Sequence, residues 1–160
     1  MQTAELPQYL VRIDSPIGRI EVTSDGDSVT SLSIERAGLL PLDGVPERSN
    51  PVLDRAVSQL EEYFAGTRTD FDLPLSLAGT EFQRAVWGEL VGLPFGGVAS
   101  YGEIGSAGRA VGGAVGANPI PIIVPCHRVL ASDGRITGYS GGNGIPTKVW
   151  LLDHEGIPHK

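Results

Sequence analysis

The chain has 160 residues, 41% of them hydrophobic, a net charge of −7 and a single cysteine. It is long enough to bury one core or two small ones, it holds no apolar run of the roughly 18 residues that a membrane span requires, and one cysteine can form no internal disulfide, which fits a reducing cytosol. The acidity lies wholly in residues 1–79, with 13 acidic and 6 basic side chains; residues 80–160 carry 6 of each, so the second half can approach a phosphate backbone without large repulsion.

The opening MQTAELPQYL lacks the basic start and apolar segment of a secretory signal, so the expected location is cytoplasmic. Three short β-rich runs follow, Tyr9 to Asp14, Gly18 to Thr23 and Val29 to Ile34. The turn signals SPIG and SDGD between them predict two hairpins in an antiparallel meander. LLPLDGVPERSNP reads as a loop. In PVLDRAVSQLEEYFAG the residues Val52, Ala56, Leu60 and Phe64 recur at four-residue spacing, predicting one apolar helical face with Gly66 as the stop. TDFDLPLSLAG reads as an extended linker and divides the chain into residues 1–76 and 77–160.

In the second half Thr80 caps a helix in EFQRAVWGELVGLP, with Phe82, Val86 and Leu90 as its apolar stripe. FGGVAS turns the chain, and Ser100 with Glu103 forms a capping box that opens a short helix at Tyr101. AGRAVGGAVGAN follows, then an apolar extended segment, a turn at the cysteine and a short strand in PIPIIVPCHRVLASDG. The last helix, in IPTKVWLLDHEG, has Pro146 near its start and Gly156 past its end.

From Ala107 to Asn118 there are four glycines and four alanines, with Arg109 the only charge. Interior glycine costs a helix about 1 kcal/mol relative to alanine. Such a segment is a loop, a helix packed closely on another helix, or a helix whose surface meets another backbone, DNA included. Together with the capped helix at Tyr101 it makes a cramped helix-turn-helix pattern. The cysteine poses a similar choice. An isolated cysteine is most often a small buried hydrophobe. Cys126, however, follows Pro125, which tends to end a strand, and precedes His127, an imidazole able to take the thiol proton if a turn or a bridging water brings them together. The local signatures of cysteine proteases are absent. Three histidines and one cysteine in no zinc-ligand spacing predict no metal, and no cofactor is expected.

Taken together, GTEFQRAVW, ASYGEI, GRAVGGAVGANPIPIIVPCHRV, DGRITGYSGG and WLLDHEG resemble the O6-alkylguanine-DNA alkyltransferase (methylated-DNA–protein-cysteine methyltransferase) family. The resemblance covers nearly all of the C-terminal half, with NPIPIIVPCHRV its most specific element. It implies an N-terminal α/β domain, a small antiparallel sheet plus helix of ribonuclease-H-like type. A mostly α, winged-helix-like C-terminal domain with a helix-turn-helix would follow. It implies direct repair of double-stranded DNA by a monomer that transfers an alkyl group irreversibly, once per molecule, from O6-alkylguanine and also O4-alkylthymine. Cys126 would be the acceptor, His127 its base through a water, and Glu155 the group that orients the histidine. Asn118 would brace the turn, and Tyr101 would help rotate the nucleotide and assist guanine departure. Arg109 would fill the space of the extruded base, with Ala110, Gly112, Gly113 and Gly116 meeting the minor groove. Val129, Tyr139, Ser140 and Gly141 would surround the guanine.

Two features depart from the family pattern. Only seven residues separate Tyr101 from Arg109, several fewer than is usual, so the helix pair must be shortened. Gly116 stands where some relatives carry a basic residue. Two rival readings keep the same residues in other uses: a sensor that flips and holds alkylguanine without reacting, and a redox or regulatory thiol protein.

Overall fold

The computed structural model describes residues 6–104 and 109–160; of Arg109 only the backbone is described. The join at 105–108, with Ala107 and Gly108 of the small-residue segment, lies outside the described residues.

Strands β1 (Tyr9–Ile13), β2 (Ile20–Ser24) and β3 (Val29–Ile34) form the expected antiparallel meander in the order β1-β2-β3. The central strand is buried on both faces. Ile20 and Val22 enter the core, while Glu21, 1% exposed, is paired with Arg12 at 3.1 Å. The outer edge of β3 is covered rather than left open. Val29 N donates to Pro74 O (2.8 Å), Ser76 N to Val29 O (2.9 Å), and Leu32 N to Pro119 O (2.9 Å). The extended segment around residue 75 is therefore docked against the sheet, and the same edge holds the chain one residue after Asn118.

Helix α1 (Pro51–Phe64) starts at Asn50, whose side chain accepts from Leu53 N, and packs on the sheet. Its buried face is Leu53, Ala56, Gln59, Leu60 and Tyr63; of the expected series Ala56 and Leu60 are buried, while Val52 and Phe64 at its ends are half-buried against the same core. Four residues advance a helix by about 400°, so such a series drifts about 40° per step around the barrel, whereas alternating spacings of three and four stay on one line.

Helix α2 (Glu81–Val91) carries a complete capping box between Thr80 and Gln83. Val86, Trp87 and Leu90 form its inner face; Phe82 is 43% exposed, which corrects the expected stripe by the same drift. Next come β4 (Ala99–Ser100), the single-turn helix α3 (Tyr101–Ile104) with the expected Ser100–Glu103 box, and α4 (Arg109–Gly116). Trp87 Nε1 donates to Ala114 O (2.8 Å), and buried Val111, Ala114 and Val115 turn the inner side of α4 toward α2. A 3-10 turn at Cys126–Arg128 leads into β5 (Val129–Leu130), which pairs parallel to β4. The last helix, α5 (Ile145–His154), ends at Glu155. One hydrophobic cluster runs from the sheet through α1, α2 and the cysteine turn to Leu151. No helix among the described residues is long and apolar enough to cross a membrane.

Candidate active site

The cysteine turn is set by what precedes it. Asn118 Nδ2 donates to Val124 O (2.7 Å) and Asn118 Oδ1 accepts from Ile120 N (2.9 Å), clamping the loop between them. Within that loop Ile122 has φ 74°, a left-handed conformation that a β-branched residue adopts only when its surroundings enforce it. The expected apolar extended segment is thus a turn, closed by Val124 N donating to Ile120 O (2.9 Å); after Pro125, Cys126 begins the 3-10 turn, 3% exposed and with a free thiol.

The cysteine lies in the wall of a cavity of about 490 Å³ shared with Tyr101, Gly112, Gly116, Tyr139 and Ser140. Parallel pairing of β4 with β5 is what brings Tyr101, the residue after Ser100, beside the turn. The Tyr101 hydroxyl accepts from Thr137 Oγ1 at 3.2 Å. Tyr139 projects a buried hydroxyl beside the Cys126 thiol that meets no nitrogen or oxygen partner among the described residues. Gly141 stands just behind: a Cβ there would meet the Tyr139 ring at 2.7 Å, so only glycine lets the ring sit where it does. Gly141 itself lines a neighbouring groove rather than this cavity, and Val129, fully buried in β5, contributes its carbonyl to the site rather than its side chain to the wall.

His127 is fully buried, and its Nε2 lies 2.6 Å from Glu155 Oε2. Burial alone would raise the Glu155 carboxyl, but hydrogen bonds from His127, Arg128 and Tyr63 outweigh it and hold the group well below the usual carboxylate range. A carboxylate accepts only, so Nε2 carries a proton and Nδ1 is left as the acceptor. Nδ1 is buried and has no partner among the described residues. Burial holds the imidazole below its ordinary range despite the raising effect of Glu155, so at neutral pH it is a free base. Burial also pushes the Cys126 thiol up, against smaller opposite effects of Asn118, Lys148 and Tyr139. The resting nucleophile is therefore a thiol whose proton must be removed during reaction, and the unpaired base stands in the adjacent residue.

Three residues of this centre were not anticipated from the sequence. Arg128 clasps Glu155 with Nε on Oε1 (2.7 Å) and Nη2 on Oε2 (3.1 Å), and its Nη1 donates to Leu93 O (2.7 Å). Lys148, 1% exposed, donates from Nζ to Val129 O (2.8 Å) and Gly138 O (3.1 Å), tying the Tyr139 loop to the cysteine turn. Burial lowers its ammonium to about 8, countered in part by Cys126. A sequence signal for Lys148 did exist: it lies on the line of Leu151 and Leu152, the buried side of α5. The third is Tyr63, whose hydroxyl donates to Glu155 Oε2 (2.6 Å) from α1.

On α4, Ala110, Gly113 and Gly116 are exposed. A Cβ added at Gly112, Gly113 or Gly116 would meet no described atom within 4 Å, so packing on another helix does not explain these three glycines. Their side of α4 is an open surface of bare backbone beside the cavity. Among the described residues no group of three or more His, Cys, Asp or Glu side chains could hold a metal ion.

Comparison with known proteins covers most of the chain. Residues 81–157 match the family model described as the 6-O-methylguanine DNA methyltransferase DNA-binding domain, and residues 9–77 that family's ribonuclease-like domain. The methylated-DNA–protein-cysteine methyltransferase of Mycobacterium leprae is 43% identical over 156 residues, covering 89% of each chain. The constitutive enzyme of that name from Bacillus subtilis is 36% identical, covering 95% of this chain and 98% of its own. The crystal structure of Mycobacterium tuberculosis OGT in complex with DNA superposes with a TM-score of 0.81 at 42% identity, covering 92% of this chain and 93% of that one. The chain belongs to the 6-O-methylguanine DNA methyltransferase family.

Proposed function

We propose that the chain repairs duplex DNA as a monomer, by single-turnover transfer of the alkyl group of O6-alkylguanine, and of O4-alkylthymine, to Cys126. The carrying observation is a thiol in a cavity wall followed directly by a buried histidine whose Nδ1 has no partner among the described residues and whose Nε2 is fixed by a carboxylate. In this reading the thiol proton passes through a water to His127 Nδ1, and Glu155 stabilises the imidazolium. The Cys126 sulfur bonds to the alkyl carbon as the carbon–O6 bond breaks. Its electron pair goes to the guanine, and the proton lost by the thiol balances the one guanine regains at N1. The product thioether has no leaving group as good as guanine, so the protein acts once.

The target carbon lies inside a stacked duplex, so the nucleotide must be rotated out. Arg109, at the start of α4, would occupy the vacated stack, and the bare face of Ala110, Gly112, Gly113 and Gly116 would meet the minor groove. Tyr101 would assist guanine departure by hydrogen bonding, while Tyr139, Ser140, Gly141 and Val129 border the base. Residues 1–76 would be the ribonuclease-H-like unit; residues 77–160 would be the winged-helix-like unit with a shortened helix-turn-helix. A sensor that holds the lesion without reacting has no use for an acceptor, a base and an orienting carboxylate in one connected set. With excess O6-methylguanine duplex, restored guanine should rise to one equivalent per protein and stop. Continued turnover, or no guanine at all, contradicts the proposal.

A further inference from the structure

We infer that Tyr63, on the helix of the sheet-bearing half, is a positioning residue for alkyl transfer, its hydroxyl fixing the Glu155 oxygen that holds His127; the inference rests on the function proposed above. Tyr63 is fully buried, 92 residues away from Glu155 in sequence. Its hydroxyl and His127 Nε2 both lie 2.6 Å from the same oxygen, Oε2. The residue is held at its other end too: His154 Nε2 donates to Tyr63 O at 2.7 Å. Its ring packs against Phe64, Phe71, Phe95 and His154 at centroid distances of 5.0–6.2 Å.

A phenylalanine would fill that aromatic cluster as well as a tyrosine does. What the hydroxyl adds is the contact with Oε2. Glu155 is secured on its other oxygen by Arg128 Nε (2.7 Å) and by Gly96 N (3.3 Å). The carboxylate would stay buried and paired without Tyr63, but its orientation toward His127, and the charge it offers there, would change. Three donors share that oxygen, Arg128 Nη2 at 3.1 Å being the third, so the Tyr63 hydroxyl weakens the pull of Glu155 on the imidazole proton. The other charged or titratable groups facing this pair are Arg128 and Cys126 from the turn, Lys148 and His154 from α5, and Tyr139 from the loop.

Tyr63→Phe should slow the single-turnover reaction with O6-methylguanine duplex about tenfold, the scale of one hydrogen bond to a charged group. It should also move the acid limb of the rate–pH profile upward, because an Oε2 charge shared with one donor fewer lets His127 keep its proton to higher pH. Binding to the duplex in gel shift should be unchanged. Phe71→Leu, which loosens the same cluster without touching Glu155, should lower Tm and leave the acid limb in place. Placing 2,3-difluorotyrosine at position 63 strengthens the donor, retains the ring, and should move the limb downward; this arm stands even where Tyr63→Phe fails to fold. If the wild type gains no alkyl group, the proposed function fails. If the wild type reacts and neither Tyr63 variant moves the limb, the positioning role alone is overturned.

Discussion

Glu155→Gln is the sharpest perturbation of the buried centre. The carboxylate accepts from five donors: Tyr63, His127, two nitrogens of Arg128 and Gly96 N. Glutamine matches its shape but offers one oxygen and one NH2, so at least one donor must face another donor, and the Arg128 guanidinium loses its counter-charge. The side chains are 0% exposed for Glu155 and 6% for Arg128, so water cannot substitute. Breaking a buried pair costs about 3–5 kcal/mol, and at roughly 2–4 °C per kcal/mol for a chain of this size Tm should fall by about 6–20 °C. A folded carboxyl held below its unfolded value contributes stability that is present above about pH 4.5 and lost as pH falls toward the folded value. The gap between wild type and variant in urea unfolding should therefore be full at neutral pH and shrink below about pH 4.5. The alkyl-transfer rate should drop by at least about 100-fold, since His127 loses its fixed tautomer. A variant with wild-type Tm and rate would refute the account of the charged centre.

Asn118→Ala leaves Ile120 N without a partner among the described residues, at about 1–3 kcal/mol, and takes from Val124 O one of its two donors, Cys126 N (2.8 Å) remaining. Thermal unfolding should register that loss, and alkyl transfer should slow as the strained turn at Ile122 relaxes; an unchanged rate would separate the clamp from the chemistry. Gly113→Leu adds a side chain where no described atom lies within 4 Å and removes a poor helix former. Tm should hold or rise, by at most about 1 kcal/mol of stability, while duplex affinity in gel shift falls; retained affinity would show that this face does not meet DNA. The His127 imidazole is held below its ordinary value of 6.5, so the unfolded state takes up the proton first and stability should decline as pH falls below that value. Denaturant titrations at neutral and mildly acid pH would show this, and a flat profile would mean that His127 is not buried as a neutral base.

What the sequence revealed, and what it did not, follows the range of the interactions. The meander, the cap at Thr80 and the box at Ser100 are local, written within a few residues, and were legible. On α1 and α2 the expected faces hold at Ala56, Leu60, Val86 and Leu90 and drift off at Val52, Phe64 and Phe82, because a spacing of four, taken alone, winds off the face it starts on. Cys126 and His127 were legible because proline, cysteine and histidine stand side by side. Arg128 stands in the same turn, yet an arginine in a sequence reads as a solvated charge. Only the fold, bringing α5 and α1 against the turn, reveals it as the partner of Glu155. Tyr63 was hidden for the same reason, since nothing near it in sequence announces a carboxylate 92 residues on.

The central claim is that alkyl transfer ends on one sulfur. Peptide mapping by mass spectrometry, after reaction with duplex DNA carrying O6-methylguanine labelled in the methyl carbon, tests it most directly. The account predicts a single labelled methyl on the peptide containing Cys126, none elsewhere, and unmodified guanine in the DNA. A methyl on any other residue, or intact lesion after prolonged incubation with folded protein, would contradict it.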